Sequence, residues 1–207
     1  MRIRLSDHFT YGKLLRFTLP SIGTMIFTSI YGVVDGFFVS NFAGKTPFAA
    51  VNLIMPVLMI LGTVGFMFGT GGTALVAKTL GTGDRKQANR YFSLFVYTAF
   101  SLGLLLAAAG AIWMRPIAAA LGAEGELLEN CVLYARINLL GLPFFVLQVM
   151  FQSFFVAAEK PHLGLAVTVS SGLTNMVLDA LFIAVFHWGV SGAAIATVIS
   201  QGLSVTL

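Results

Sequence analysis

Two acidic residues stand inside long apolar stretches of this sequence, Asp35 in GVVDGFFVSN and Asp179 in NMVLDALFIAVF. A carboxylate that is removed from water is unfavourable unless it binds a proton, a cation or hydrogen-bond donors. An ionisable side chain in such a stretch is therefore a candidate functional group by default. The simpler interpretation is a buried Asp that only hydrogen-bonds a neighbouring helix.

Further oxygen-bearing side chains fall near these two acids. Asn175 precedes Asp179 by one helical turn and shares its helix face. At about 1.5 Å per helical residue, Thr197 lies at a depth similar to that of Asp35 and Asp179, in the outer half of the membrane. Two carboxylates, an amide and a hydroxyl suit a small hard cation, by analogy with calcium and magnesium sites, and close carboxylates also favour a shared proton. We predict a site for Na⁺ or H⁺ at Asp35, Asn175, Asp179 and Thr197, and no organic cofactor.

The elements that must position these groups are membrane-spanning helices. Apolar types make up 57% of the 207 residues and charged types only 10%, whereas a soluble domain has about 25% charged residues. The mean hydropathy is +0.91. Helices satisfy their own backbone in lipid, and the apolar runs do not alternate as membrane strands would. We predict an all-α integral membrane protein, a six-helix bundle, with helices at about 14–40, 48–77, 91–114, 131–157, 163–186 and 189–207.

Polar residues recur at helical spacing along the first, fourth and fifth of these helices. On the first helix they culminate in Asp35 and on the fifth in Asp179. Such stripes also arise from ordinary hydrogen bonds between helices, but stripes that end at two carboxylates favour a polar cavity. The predicted lining residues are Thr28, Tyr31, Tyr134, Asn138, Gln148 and Gln152.

Pro20 lies on the same helix as Asp35 and weakens the backbone ladder there, so that it is a candidate point for bending. A proline tolerated near a helix start explains it equally well. A bound ion that changes what this helix packs against would shift the helix between two conformations.

The remaining chemistry-bearing residues predict no enzyme. The glycine-rich FGTGGTALVAK lacks the spacing of a phosphate loop, so any pumping must draw on an ion gradient. The three histidines are scattered without metal-ligand spacing, and nothing in the distribution of charge favours nucleic acid.

Basic residues predict the orientation. Nine of the twelve flank one side of the predicted helices, including Arg2, Arg4 and the loop KTLGTGDRKQANR. The positive-inside rule then places the N-terminus in the cytoplasm. We expect the protein to lie in the inner membrane of the cell. The last apolar run reaches Leu207 without a flanking charge, so we expect a fragment of a longer chain.

Four segments together resemble the N-terminal half of the multidrug and toxic compound extrusion (MATE) transporters, in the bacterial branch with an acid in helix one. They are LPSIGTMIFTSIYGVVDGFFVSNFAG, FGTGGTALVAKTLGTGDRKQA, NMVLDALFIAVF and GVSGAAIATVISQG. The resemblance implies one lobe of a twelve-helix antiporter that exchanges Na⁺ or H⁺ for drug-like organic cations by alternating access. It implies that Asp35, Asn175, Asp179 and Thr197 form the cation site and that Pro20 stands at the bend of helix one.

Several alternatives stay open beside this interpretation. A flippase for lipid-linked precursors shares a related fold, and an intramembrane transferase is a weaker candidate. The second lobe is absent from these 207 residues, so the expected partner is the C-terminal lobe of the same chain or, less readily, a second copy in a dimer.

Overall fold

The computed structural model describes residues 11–207, which form six long helices joined by short turns. The helices are α1 (Tyr11–Phe38), α2 (Lys45–Gly81), α3 (Arg85–Ala120), α4 (Gly125–Ala157), α5 (Pro161–Asp179) and α6 (Gly189–Thr206). A π-helical segment, Val39–Ala43, continues α1, and a second one, Ala180–Val185, continues α5. Arg2 and Arg4, which support the predicted orientation, lie outside the described residues.

The six-helix membrane bundle predicted from composition is confirmed. All six helices of residues 11–207 are long and apolar enough to cross a membrane. Three of them run further than the apolar stretches indicate, and α3 begins at Arg85 rather than near 91. The reason is that hydropathy marks only the part of a helix in lipid, whereas Arg, Lys and Gln continue a helix well in water. The Asp84 side chain caps this extension by accepting a hydrogen bond from the Gln87 amide at 2.9 Å.

Helix α4 forms the centre of the bundle and packs against α2, α3 and α6. Its contact with α2 is close because glycines of α2 face it. A Cβ atom added at Gly65 would stand 2.6 Å from the Val146 carbonyl oxygen, and one at Gly69 would stand 2.7 Å from the Ser153 hydroxyl. The small residues thus let two helix backbones approach each other, as is typical of helix pairs in membranes.

Helix α1 is held mainly by α5. Leu165 of α5 packs beside Gly23 of α1, and Phe27 of α1 packs against Gly172 of α5. The opposite face of α1 is open, and Met25 and Val33 are each 72% exposed. Within residues 11–207, α1 has little direct packing against α2.

The two π-helical segments begin within a few residues of the two buried acids, and they pack against each other. The first starts four residues after Asp35, and the second starts directly after Asp179. A π-helical turn widens the helix and leaves its backbone pattern irregular, which is a frequent feature of functional sites. The two π-helical segments therefore pack the ends of α1 and α5 together close to the acids.

Candidate functional site

Asp35 and Asp179, which are 144 positions apart in the sequence, meet inside the bundle. Their carboxyl groups lie close enough to interact electrostatically. Asp35 is 8% exposed and Asp179 is fully buried. Two ionised carboxylates only accept hydrogen bonds, so a hydrogen bond would form between these groups only if one of them carried a proton. The packing of α1 on α5 creates this pair, since each helix carries one acid.

The pair is rich in acceptors and poor in donors. Five buried side-chain oxygen atoms have no hydrogen-bond partner among the described residues. Four belong to the acids and their neighbour, Asp35 Oδ1, Asp179 Oδ1, Asp179 Oδ2 and Asn175 Oδ1, and the fifth is Gln201 Oε1 of α6. Unpartnered buried oxygens are unfavourable in a completed site. A proton or a small hard cation would satisfy several of them at once, because oxygen is the ligand that such cations prefer.

The hydroxyl of Thr197 lies on α6, half-buried, and donates a hydrogen bond to the Ala193 carbonyl oxygen at 3.0 Å. Its oxygen keeps an acceptor lone pair available for a ligand. Thr197 and Asn175 line the same cavity, so three helices contribute to this region. No cluster of three or more His, Cys, Asp or Glu side chains occurs within residues 11–207, so the set rests on amide and hydroxyl oxygens beside the two acids.

A cavity of about 520 Å³ lies next to the acidic pair, between α1, α2, α4, α5 and α6. Four of the predicted lining residues are on its wall: Thr28, Tyr31, Gln148 and Gln152. Asp35 and Asp179 are not among the lining residues; they lie one turn beyond Tyr31 and Asn175. None of the residues that line this cavity is charged.

Two residues expected to line this cavity, Tyr134 and Asn138, are not on its wall. Both are buried, at 1% and 8% exposure. Tyr134 precedes Gln148 by 14 residues of the same helix, or about 21 Å along its axis, so one face of α4 cannot serve a single cavity at both places. Tyr134 instead lies near both acids and interacts electrostatically with each, while Asn138 Nδ2 donates to the Tyr134 carbonyl oxygen at 2.9 Å.

Helix α2 contributes a wall of the cavity that was not predicted from the sequence. The residues are Met59, Ile60, Thr63 and Phe66. Thr63 is the polar residue among them. Its hydroxyl inside a glycine-rich apolar helix is the sequence feature that could have identified this cavity wall. Because its hydroxyl also donates to the Ile60 carbonyl oxygen at 2.6 Å, the same residue is equally explained as a helix residue that bonds its own backbone.

A second cavity of about 540 Å³ adjoins the first towards the beginning of α1 and α5. The two share the wall residues Thr24, Thr28, Phe66 and Gln152. At this junction Gln152 Nε2 of α4 donates to Thr168 Oγ1 of α5 at 2.7 Å and to the Gly164 carbonyl oxygen at 3.3 Å. Gln152 is thus both a cavity residue and a hydrogen-bonded link between two helices.

Pro20 lies inside the continuous helix α1, and Thr24 Oγ1 donates to its carbonyl oxygen at 3.0 Å. Proline has no backbone N–H, so the carbonyl oxygen one turn earlier loses its helical partner. Bending at this position stays a prediction.

Known proteins match this chain in sequence and in fold. The family model MatE matches residues 20–181. The multidrug export protein MepA of Staphylococcus haemolyticus (strain JCSC1435) is 29% identical over 194 residues, which is 94% of this chain and 43% of that protein. The chain thus spans less than half the length of this relative.

Two solved structures with this fold are described as MATE in the bent conformation and in the straight conformation. The bent one has a TM-score of 0.83 and 27% identity, over 93% of this chain and 43% of that one. The straight one has a TM-score of 0.84 and 26% identity, over 92% of this chain and 42% of that one. Since the family model covers most of the chain, this multi-pass membrane protein belongs to the MatE family and corresponds to an N-terminal half of a MATE transporter.

Proposed function

We propose that this chain is the cation-coupling lobe of a secondary multidrug efflux transporter, which exports organic cations and other drug-like molecules in exchange for Na⁺ or H⁺. The observation that carries the proposal is the buried pair Asp35 and Asp179, whose buried oxygens lack donors beside an uncharged cavity of mixed polar and apolar lining. The MepA relative is described as a multidrug export protein, which supports the same activity.

In the proposed coupling step, the ion binds to Asp35, Asp179, Asn175 and Thr197. Two adjacent carboxylates repel each other when both are ionised, and a proton or Na⁺ removes that repulsion. Loading therefore favours close packing of α1 on α5, and release of the ion weakens it. Only such a difference in affinity between two conformations allows an ion to shift their equilibrium.

The drug would occupy the cavity rather than contact the acids directly. Thr28, Tyr31 and Gln148 offer hydrogen bonds, while Phe66 and Phe145 offer apolar contacts. Pockets of this size and mixed character suit drug-sized molecules. Tyr31 lines the cavity one turn from Asp35, so that movement at the ion site reaches the drug site through a single helical turn.

Alternating access would involve α1, because it is the least enclosed helix and is held mainly by α5. Pro20 supplies a weak point in that helix. Two related structures are described as MATE in a bent and in a straight conformation, which supports a bending element in the cycle; we place it in α1.

A second lobe would complete the transport path. Residues of α1 and α2 line both cavities, but these two helices have little direct packing against each other, so further helices would enclose the cavities there. We propose a C-terminal lobe as this partner, in a bacterial inner membrane with the N-terminus in the cytoplasm. A flippase for anionic lipid-linked precursors fits less well, because no Lys, Arg or His lines either cavity.

The substitution Asp35→Asn tests the proposal in the complete transporter. We expect loss of efflux and of drug resistance in cells, with membrane insertion intact, because Asn cannot exchange a proton or bind Na⁺ as a carboxylate. The matched control is Glu126→Gln, an exposed acid in the first turn of α4, which should leave efflux unchanged. Full resistance in cells that carry Asp35→Asn would contradict the proposal, and efflux from vesicles with and without a Na⁺ gradient identifies the ion.

A further inference from the structure

Arg136 is a cation on the outer surface of the central helix α4. Its side chain is exposed, and Leu133 and Leu140 flank it at helical spacing with 45% and 74% exposure. Within residues 11–207, Arg136 takes part in no hydrogen bond and no ion pair. An unpaired guanidinium among exposed leucines in a membrane-spanning helix requires a partner from outside the bundle.

The other arginine at this end of the bundle is already paired. Arg115 of α3 forms an ion pair with Glu129 of α4 at 2.6 Å. Glu129 lies two turns before Arg136 on the same side of α4, but its carboxylate accepts from both terminal nitrogens of Arg115. Arg115 therefore has a carboxylate partner, whereas Arg136 has none among residues 11–207.

The depth of Arg136 follows from helix geometry. Arg136 lies 21 residues before the end of α4 at Ala157, which is about 31 Å and close to the thickness of the hydrocarbon layer. Counted from Glu129 instead, it lies about 10 Å further towards the middle of the membrane. The exposed Trp113, two residues before Arg115, has the position of an aromatic side chain at the membrane interface. Both counts leave the guanidinium within reach of the lipid headgroups, because a long arginine side chain extends towards them.

We propose that Arg136 binds the phosphate of a phospholipid in the leaflet at the α3–α4 turn, with the acyl chains packed on Leu133 and Leu140. A phosphodiester presents two oxygens to the planar guanidinium, which forms paired hydrogen bonds that lysine cannot reproduce. The apolar flanks on both sides select a lipid over a soluble anion. The site lies on the outer surface of α4, apart from the acidic pair and the cavity.

A photoactivatable phosphatidylglycerol tests this site in the full transporter, reconstituted in nanodiscs. Crosslinks to α4 are measured by mass spectrometry. We expect Arg136→Ala to lose most of the crosslinking, Arg136→Lys to retain part of it, and Arg115→Ala to retain all of it. Excess inorganic phosphate should not compete, because the leucine flanks bind acyl chains.

Equal crosslinking in the unsubstituted protein and in Arg136→Ala would overturn the proposal. Competition by inorganic phosphate would also overturn it, since it would indicate a site for soluble anions. If Arg136→Ala fails to insert, the same comparison with Arg136→Gln decides the question. Efflux is not the readout, so the result is independent of the proposed transport activity.

Discussion

At the scale of single residues, the site combines two acids without hydrogen-bond donors and a pair of neutral side chains that bond each other. Asp35 and Asp179 lie close together, and three of their oxygens are buried without a donor. By contrast, Gln152 and Thr168 form a complete hydrogen bond where the two cavities meet. The first pair is suited to bind and release an ion, whereas the second holds α4 and α5 together.

The substitution Thr168→Val removes the hydroxyl that accepts from Gln152 and keeps the shape of the side chain. We expect a loss of about 0.6 kcal/mol, the typical contribution of a hydrogen bond between membrane helices. Thermal unfolding in detergent measures it. The control is Thr174→Val on the same helix, whose hydroxyl bonds only the Ser170 carbonyl oxygen. Equal effects of both substitutions would show that the link to Gln152 contributes nothing particular.

At the scale of helices, the bundle consists of a tightly packed group and a more loosely attached pair. Helix α4 with α2, α3 and α6 forms the group, and glycines of α2 bring the backbones together. Helices α1 and α5 form the pair that carries the acids. The cavities lie where these two parts meet, so their relative movement would change the cavity shape.

The substitution Gly65→Ala tests the close packing of α2 on α4. The added Cβ would stand 2.6 Å from the Val146 carbonyl oxygen and 3.0 Å from Val149 Cβ, so the helices must separate. We expect a loss of about 1–3 kcal/mol, as for other overpacked interiors. Gly71→Ala is the matched control, because a Cβ there meets no atom within 4 Å. Unchanged thermal stability of Gly65→Ala would show that α2 and α4 can separate at this contact without loss of stability.

At the scale of the whole molecule, the cavity between α1, α2, α4, α5 and α6 is expected to hold water, because hydroxyl and amide side chains line part of it. A cysteine introduced at Thr63, which lines the cavity, should react rapidly with a charged thiol reagent in liposomes, because the reactive thiolate forms in water. The natural Cys131 is fully buried and should contribute little background.

The matched control for this labelling is Leu105→Cys on α3, which is 68% exposed on a surface that we expect to face lipid. Slow labelling of Leu105→Cys with rapid labelling of Thr63→Cys would support a hydrated cavity. A drug bound in the cavity should slow the reaction at Thr63→Cys. Similar rates at the two positions would contradict the assignment of the cavity as the aqueous path.

The amino-acid sequence by itself determined the number and type of the helices, because a span must be apolar over its whole width in lipid. It also singled out Asp35 and Asp179, since a carboxylate in an apolar run stands out without any knowledge of contacts. Only the tertiary structure decided that the two acids lie close together, that α2 supplies a cavity wall, and that Tyr134 lies near the acids rather than on that wall. These facts depend on the rotation and approach of one helix against another, which helical spacing within a single element does not specify.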